Sequence, residues 1–509
     1  MSVTGRPLPS LPQYRKDGVT RRLSASVHLD DDFALYVDRA LTGDRLNALG
    51  LSLNINFVAL ARHARVATLR RAALDRRLAC LLAAVPVTLL VALWGLVNAH
   101  PSLGWVAIFG PLGAYTVAWI LVRHTEARSR DAARTAFLSA ERPEQTAPPV
   151  EPEAEAALHD LKRANVLPYA DEAAYTKPFV GSGDKIKEVV WQPVDISRPA
   201  DAPGGGKLRL RPFDVIDLHT YVARQMENIS GLQGLRARNR LYVRGSNAHL
   251  IPELVPDPTR RPRAQIPKQL VQAGLQTPGA GMRTHLCLER VGEGGRLIVS
   301  MYLRAILQPP SLTWEVAAYA IPPLDGRFHR VDRLPVAPFE RWWDLVRHAT
   351  RRTGPELRGS LGRILRRHRW QREHERALAR TRRAITKQHV RHDYGATGSL
   401  REDLGAWDEA GYIERTDAQD YLFRLQQGVL TATERFLRDH NIDTSSFDKA
   451  VQVINTQTYN IGNVSGPSNF GAHGTVLLGG QQGPGPQGGG PGSQGGPGPG
   501  GSGPPAPKP

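Results

Sequence analysis

Cysteine is nearly absent from this chain: Cys80 and Cys287 are its two, far apart and in unlike surroundings. That excludes a disulfide framework and a cysteine-based zinc site, and it fits a reducing compartment. Catalytic signatures are missing as well. Phe179-Val-Gly-Ser-Gly183 has no glycine two residues before Ser182, so it is a turn and not a G-x-S-x-G nucleophile elbow. Gly204-Gly205-Gly206-Lys207 is followed by Leu208, which places no hydroxyl where a phosphate loop would hold magnesium, and it reads as a loop. His389 and His392 stand one helical turn apart beside Asp393, but no third clustered ligand accompanies them, so they read as a surface pair. No catalytic residue, metal site or cofactor is expected, and the balance leans away from an enzyme.

Charge is absent from two long stretches. Leu78 to Val97 and Leu103 to Val122 each run 20 residues without Asp, Glu, Lys or Arg. At about 1.5 Å per residue each covers roughly 30 Å, the hydrocarbon thickness of a bilayer. Neighbouring helices can satisfy the carbonyls freed by Pro86 and Pro111, and Trp94, Trp105 and Trp119 lie toward span ends, where indoles favour the interface. The connector Asn98-Ala99-His100-Pro101-Ser102 has no Lys or Arg, whereas Arg70, Arg71, Arg76 and Arg77 precede the first span and Arg123, Arg128, Arg130 and Arg134 follow the second. The positive-inside rule then predicts a multi-pass cell-membrane protein with both termini cytoplasmic. A signal peptide is not expected, since the first apolar run begins near residue 78. With no ionisable residue to mark an ion path, the hairpin is an anchor and not a pore.

What the chain has in excess is arginine. Lys plus Arg is 66 against 48 for Asp plus Glu, so 66 − 48 = +18, which favours anionic partners. Residues 341 to 392 hold 16 Lys or Arg and 4 Asp or Glu, 16 − 4 = +12. There Leu357, Leu361, Ile364, Leu365 and His368 form one stripe at helical spacing with arginines on the other faces. Such a helix suits an anionic inner leaflet, with Arg363, Arg366, Arg367 and Arg369 as surface contacts; a solvated face on the neighbouring domain is the alternative. Nucleic-acid binding lacks a reading motif.

The predicted class is α+β. Residues 1–27 read as a disordered basic N-terminus and 28–77 as cytoplasmic helices, one starting at Asp30-Asp31-Asp32 and another running from near Ile55 into the membrane. Residues 78–122 are the transmembrane hairpin, and 123–157 a basic helix and a Pro/Ala/Glu-rich linker. The cytoplasmic α+β domain covers 158–340, with a short strand at Leu208–Arg211, a helix from Val215 capped by Asp214, and an antiparallel meander over 285–291, 297–305 and 312–319. Residues 341–450 are basic and amphipathic helices, including one opened by a capping box at Thr416–Gln419 that buries Leu422, Leu425, Val429 and Phe436, and a short one from Thr444. Residues 451–478 are Asn/Gly-rich and β-prone, and 479–509 a disordered Gly/Pro/Gln-rich tail. The sequons at Asn228 and Asn463 fall on the cytoplasmic side and stay unmodified.

Several fragments carry a resemblance: Pro178-Phe-Val-Gly-Ser-Gly183 with Trp191, His392-Asp-Tyr-Gly-Ala396 with Ser399-Leu-Arg-Glu402, and Phe436-Leu-Arg-Asp-His-Asn-Ile-Asp-Thr444. Together they resemble an uncharacterised family of two-span membrane proteins of high-GC actinobacterial type, over about residues 78–476. The resemblance implies no activity. Tyr459-Asn-Ile-Gly-Asn-Val-Ser-Gly466 looks like the short amyloid-forming signalling motifs of bacteria and their animal necroptosis relatives.

Two functions are in view. One is a membrane-anchored interaction or assembly protein that recruits itself or a cytoplasmic protein partner. The other is a membrane-tethered sensor or enzyme with a ligand pocket in residues 158–400, near His392 and Asp393. For the first, the uncharged stretch Ile454 to Val476 supplies strands of Asn, Thr, Tyr, Ile and Val that can stack in register, with Ile461, Val464 and Phe470 as contacts; a short hairpin packed on the preceding helices, or a disordered linker, is the alternative. A Val451–Gly480 peptide is expected to form thioflavin-positive fibrils at micromolar concentration; a peptide that stays monomeric removes the stacking idea.

Overall fold

The computed structural model describes residues 12–98, 105–175, 177–445, 447 and 451, which fall in one compact unit, Met1–Val464. The stretch holding Ile461, Val464 and Phe470, the tail, the span connector from Ala99 onward and most of the short helix from Thr444 lie outside the described residues.

The chain opens with α1 (Gly18–Leu29) and α2 (Asp31–Asp38). Asp30 caps α2, its carboxylate accepting from the N–H groups of Asp32 and Phe33. The disordered N-terminus is corrected here for residues 18–27. Val19, Leu23 and Val27 recur every four residues and are buried, and buried Arg21 donates to the Ser139 and Glu141 carbonyls at 2.7 and 2.6 Å. Arg and Ser fill the positions between those apolar residues, which masks the helical stripe in the sequence.

Two long helices follow, α3 (Phe57–Val97) and α4 (Val106–Leu138). Each is long and apolar enough to cross a membrane, and most of its apolar stretch is left uncovered by the rest of the chain. A buried core hairpin would be covered; Leu90, Trp94, Phe109 and Ile120 are instead exposed. The two helices approach closely at Gly110, where a Cβ would stand 2.8 Å from the Cβ of Thr88. These features are compatible with a two-span membrane protein.

Beyond the short α5 (Pro152–Asp160), the described strands form a seven-stranded sheet: β1 (Val166–Tyr169), β2 (Asp184–Val190), β3 (Val194–Asp195), β4 (Arg236–Arg244), β5 (Met282–Gly292), β6 (Leu297–Gln308) and β7 (Ser311–Ile321). Its order is β1-β4-β5-β6-β7-β2, with β3 also on β7; β1 pairs with β4 in parallel and the other pairs are antiparallel. The predicted meander is thus the centre of a larger mixed sheet. Leu208–Arg211 is not a strand. It bonds singly to the Ala200 and His440 backbones, and Pro212 follows it.

Period-two alternation divides the sheet into two faces. Leu286, Leu288, Val299, Met301, Leu303, Trp314, Val316 and Ala318 pack under α6 (Val215–Glu227) and α10 (Tyr412–Asp439), joined by Leu422, Leu425, Val429 and Phe436. Cys287, Ile298, Tyr302, Ala317, Tyr319 and Ile321 face the other way, against Leu51, Leu53, Phe179 and Val180. The capping box at Thr416 is corrected: α10 begins a turn earlier because the Glu414 carboxylate accepts the Gly411 N–H at 3.1 Å, leaving Thr416 inside the helix. The remaining helices are α7 (Lys268–Gln276), the 51-residue α8 (Pro338–Gln388) and the short α9 (Leu400–Asp403).

His219 ties α6 to the sheet. The Ala305 N–H donates to its Nε2 at 3.1 Å, so Nδ1 carries the proton and faces Asn239 Oδ1 at 3.1 Å. Burial lowers the His219 and His63 imidazoles to about 4. Between that value and the unfolded value near 6.5, the unfolded chain binds more protons. Stability is therefore complete above about pH 6.5 and falls as pH drops toward 4, by about 2 kcal/mol per histidine at pH 5. Denaturation at about pH 7 and about pH 5 should show this loss. His219→Gln, which keeps an acceptor for Ala305, should make the loss smaller; an unchanged slope would contradict the assignment.

Candidate functional site

Where α3 meets its apolar run, the chain buries an acid. Asp75 stands one turn before Leu78 and has no exposed surface. Its helix neighbours Leu74 and Leu78 pack with Ala118 and Val122 of α4 and Ala349 of α8 in one buried cluster. α8 presents Ala349, Thr353, Glu356 and Ser360 to the bundle, spaced four, three and four residues apart, so one narrow face of mostly small side chains lets it come close.

Arg363 reaches Asp75 Oδ1 through Nη2 at 2.7 Å and Nε at 2.9 Å, and Arg367 holds Oδ2. Arg71 lies 3.7 Å from Asp75 and also bridges Asp31, at 3.1 Å, and Glu356. Glu356 in turn accepts from Arg363 at 2.8 Å. The network therefore joins α2, α3 and α8. On the other flank Arg130 of α4 binds Glu126 and Asp344 of α8. Burial lowers the Arg363 and Arg367 guanidiniums from their ordinary value, with Arg71 adding repulsion, and raises the Asp31 carboxyl. A charge buried without partners costs several kcal/mol, so these carboxylates and guanidiniums hold one another in place.

The four arginines singled out in the sequence part company here. Arg363 and Arg367 turn inward to Asp75; Arg366 is exposed beside a cleft; Arg369 is 81% exposed and pairs with Glu373. The predicted stripe is likewise only partly covered, for Leu357 joins the hairpin cluster while Leu361 and Leu365 are 51% and 60% exposed. Sequence reasoning passed over Asp75. The one acid among arginines 70 to 77, a turn from an uncharged apolar run, was the available signal.

The histidine pair plays a structural part. His389 ends α8 in the left-handed region, His392 Nε2 sits 3.1 Å from Asn47 Oδ1, and Asp393 accepts the N–H groups of Asp171 and Gly395 at 2.8 Å each. No group of three His, Cys, Asp or Glu is placed to hold a metal among the described residues. Buried Ser182 donates to the Phe179 carbonyl within a turn made by Gly181 and Gly183, both at positive φ.

A second cavity opens on the sheet face away from α6 and α10. It measures about 610 Å³ and is lined by Tyr169, Phe179, Tyr242, His285 and Tyr302, with Arg244 and Arg283. Burial drives the His285 imidazole down to about 3 and the Cys287 thiol beneath it up to about 11, and it raises the Tyr242 and Tyr302 phenols. All four are neutral near pH 7, which suits binding better than proton transfer or nucleophilic attack. His392 and Asp393 do not line it.

Removing one partner from the foot network should expose its weight. Asp75→Ala is expected to cost about 3 kcal/mol or more, since it strands two guanidiniums, whereas Arg369→Ala should change stability by less than about 0.5 kcal/mol. Thermal unfolding of the full chain in detergent compares them, and equal effects would contradict the arrangement.

A search of curated proteins and a search of solved structures each match nothing to this chain. A family model does match. It covers residues 190–465, from the end of β2 through α8, α9 and α10, and so includes Arg363 and Arg367 but neither the hairpin nor Asp75. With more than half of its length inside that match, the chain belongs to the AbeC-like domain family.

Proposed function

We propose that this is a two-span membrane protein whose hairpin holds a cytoplasmic interaction or assembly module against the inner leaflet, with both termini in the cytoplasm. The orientation rests on the basic flanks and the uncharged connector. The observation that carries the leaflet contact is the exposed stripe of α8. Phe339 and Trp343 are 74% and 55% exposed, and Leu361, itself exposed, lies 361 − 343 = 18 residues on, five helical turns along the same face. Thr350 lies on that side too and accepts from the Trp119 indole at 3.2 Å, at the cytoplasmic end of the second apolar run. An aromatic and leucine stripe level with an interfacial tryptophan, flanked by arginines, has the composition of a helix lying in the headgroup layer.

In this reading, clustering in the membrane raises the local concentration of the 451–478 stretches, and the likeness of Tyr459–Gly466 to amyloid-signalling motifs supports self-association through Ile461, Val464 and Phe470. The sheet-face cleft favours a second reading, a membrane-tethered sensor, because a cavity of about 610 Å³ with aromatic walls and two arginines suits a small ligand.

Brominated phospholipids test the leaflet contact. With the full chain in vesicles, they should quench the tryptophan emission of the parent more than that of a Trp342→Phe, Trp343→Phe variant. Equal quenching would place this end of α8 away from the bilayer.

A further inference from the structure

We propose that the cleft bounded by α2, α3, α4 and α8 is a binding site for a phosphate-bearing anion. The cleft is about 880 Å³, at the upper end of what small-molecule sites occupy. Nine arginines and five carboxylates line it, 9 − 5 = +4. The carboxylates are largely committed: Asp31 and Glu356 hold Arg71, Glu126 holds Arg130, and Glu356 also holds Arg363. Arg39, Arg70, Arg352 and Arg366 have no carboxylate within ion-pair distance among the described residues.

These groups reach one cleft from different helices. Arg39 stacks on Trp370 with its guanidinium 3.9 Å from the ring centroid, and its Nε is buried without a partner. Arg366 stands one turn before Trp370 on the same wall. Arg70 of α3 donates to the neutral Ser129 hydroxyl at 3.1 Å. Like charges crowd here: Arg71 and Arg39 both act to lower Arg367. An anion bound among them would relieve that repulsion, and a guanidinium fork fits a phosphoryl group through two parallel N–H bonds.

Two sources share this chemistry. Leu74 and Val122 close the end of the cleft nearest the apolar runs, where a phospholipid headgroup would enter with its chains along the hairpin. That source rests on the anchoring proposed above. A soluble phosphate compound would enter from the cytoplasmic side and does not depend on it.

The test titrates the full chain, purified in a neutral detergent, with a short-chain phosphatidic acid and with inorganic pyrophosphate, read by calorimetry. The site predicts saturable one-to-one binding of at least one probe, weakened about tenfold by Arg366→Ala and by Arg39→Ala and unchanged in Arg369→Ala. Arg366 is exposed, so its variant keeps the test valid if Arg39→Ala fails to fold. Tighter binding of the lipid supports the headgroup, and tighter binding of pyrophosphate supports a soluble ligand. If carbonate washing released the chain from membranes, the anchoring would fall, while pyrophosphate binding sensitive to Arg366 would stand. Absence of saturable binding, or an equal loss in Arg369→Ala, overturns the site.

Discussion

A carboxylate with no exposed surface, placed one turn from the start of an apolar span, dictates much of this molecule's shape. Asp75 has little water to share its charge, so it requires cations brought to it, and the chain supplies Arg363 and Arg367 from almost 300 residues away. Meeting that requirement fixes where α8 must cross the foot of the hairpin. Glu356, Arg71 and Asp31 extend the same constraint to α2, and Arg130 with Asp344 secures the earlier part of α8 to α4. Because α8 follows directly from the sheet region and leads into α9 and α10, the clamp joins the α+β body to the two apolar helices.

The body divides its work between the two faces of one sheet. Toward α6 and α10 the strands offer a continuous aliphatic layer, and His219 adds a directional bond that locks α6 to β6. Toward the other face they offer Tyr, His and Cys, with Arg240 and Glu289 paired at 2.9 Å among them. Burial keeps the titratable members of that aromatic layer neutral, giving the cleft above it the character of a binding surface. Positive charge gathers at the hairpin foot and along α8. The aromatic cleft on the sheet and the arginine-lined cleft at the hairpin foot are therefore two separate places on the same fold.

Elements whose packing leaves a simple period were legible in the sequence. The hairpin followed from two uncharged runs, the β5–β6–β7 meander from apolar strands around turns, and the buried side of α10 from Leu422, Leu425, Val429 and Phe436. β4 was not, because RARNRLYVR places arginines between its apolar residues, and one of them, Arg240, is buried through a partner on β5 that no local pattern reveals. α1 was hidden for a similar reason, since Arg21 is buried through distant carbonyls. The α8 stripe was seen, but its role was not: apolar residues such as Leu361 and Leu365 stay exposed while Ala349, Thr353 and Ser360 pack inward. Helical spacing identifies a face; which partner covers it depends on contacts hundreds of residues away.

The clamp between α3 and α8 is most directly tested by hydrogen exchange on the full chain in lipid nanodiscs, comparing the parent with Asp75→Asn. The account predicts slow exchange of α8 amides around Ala349 to Arg367 in the parent, and faster exchange there in the variant while β5, β6 and β7 stay protected. Rapid exchange along the whole of α8 in the parent, or no change on neutralising Asp75, would contradict it.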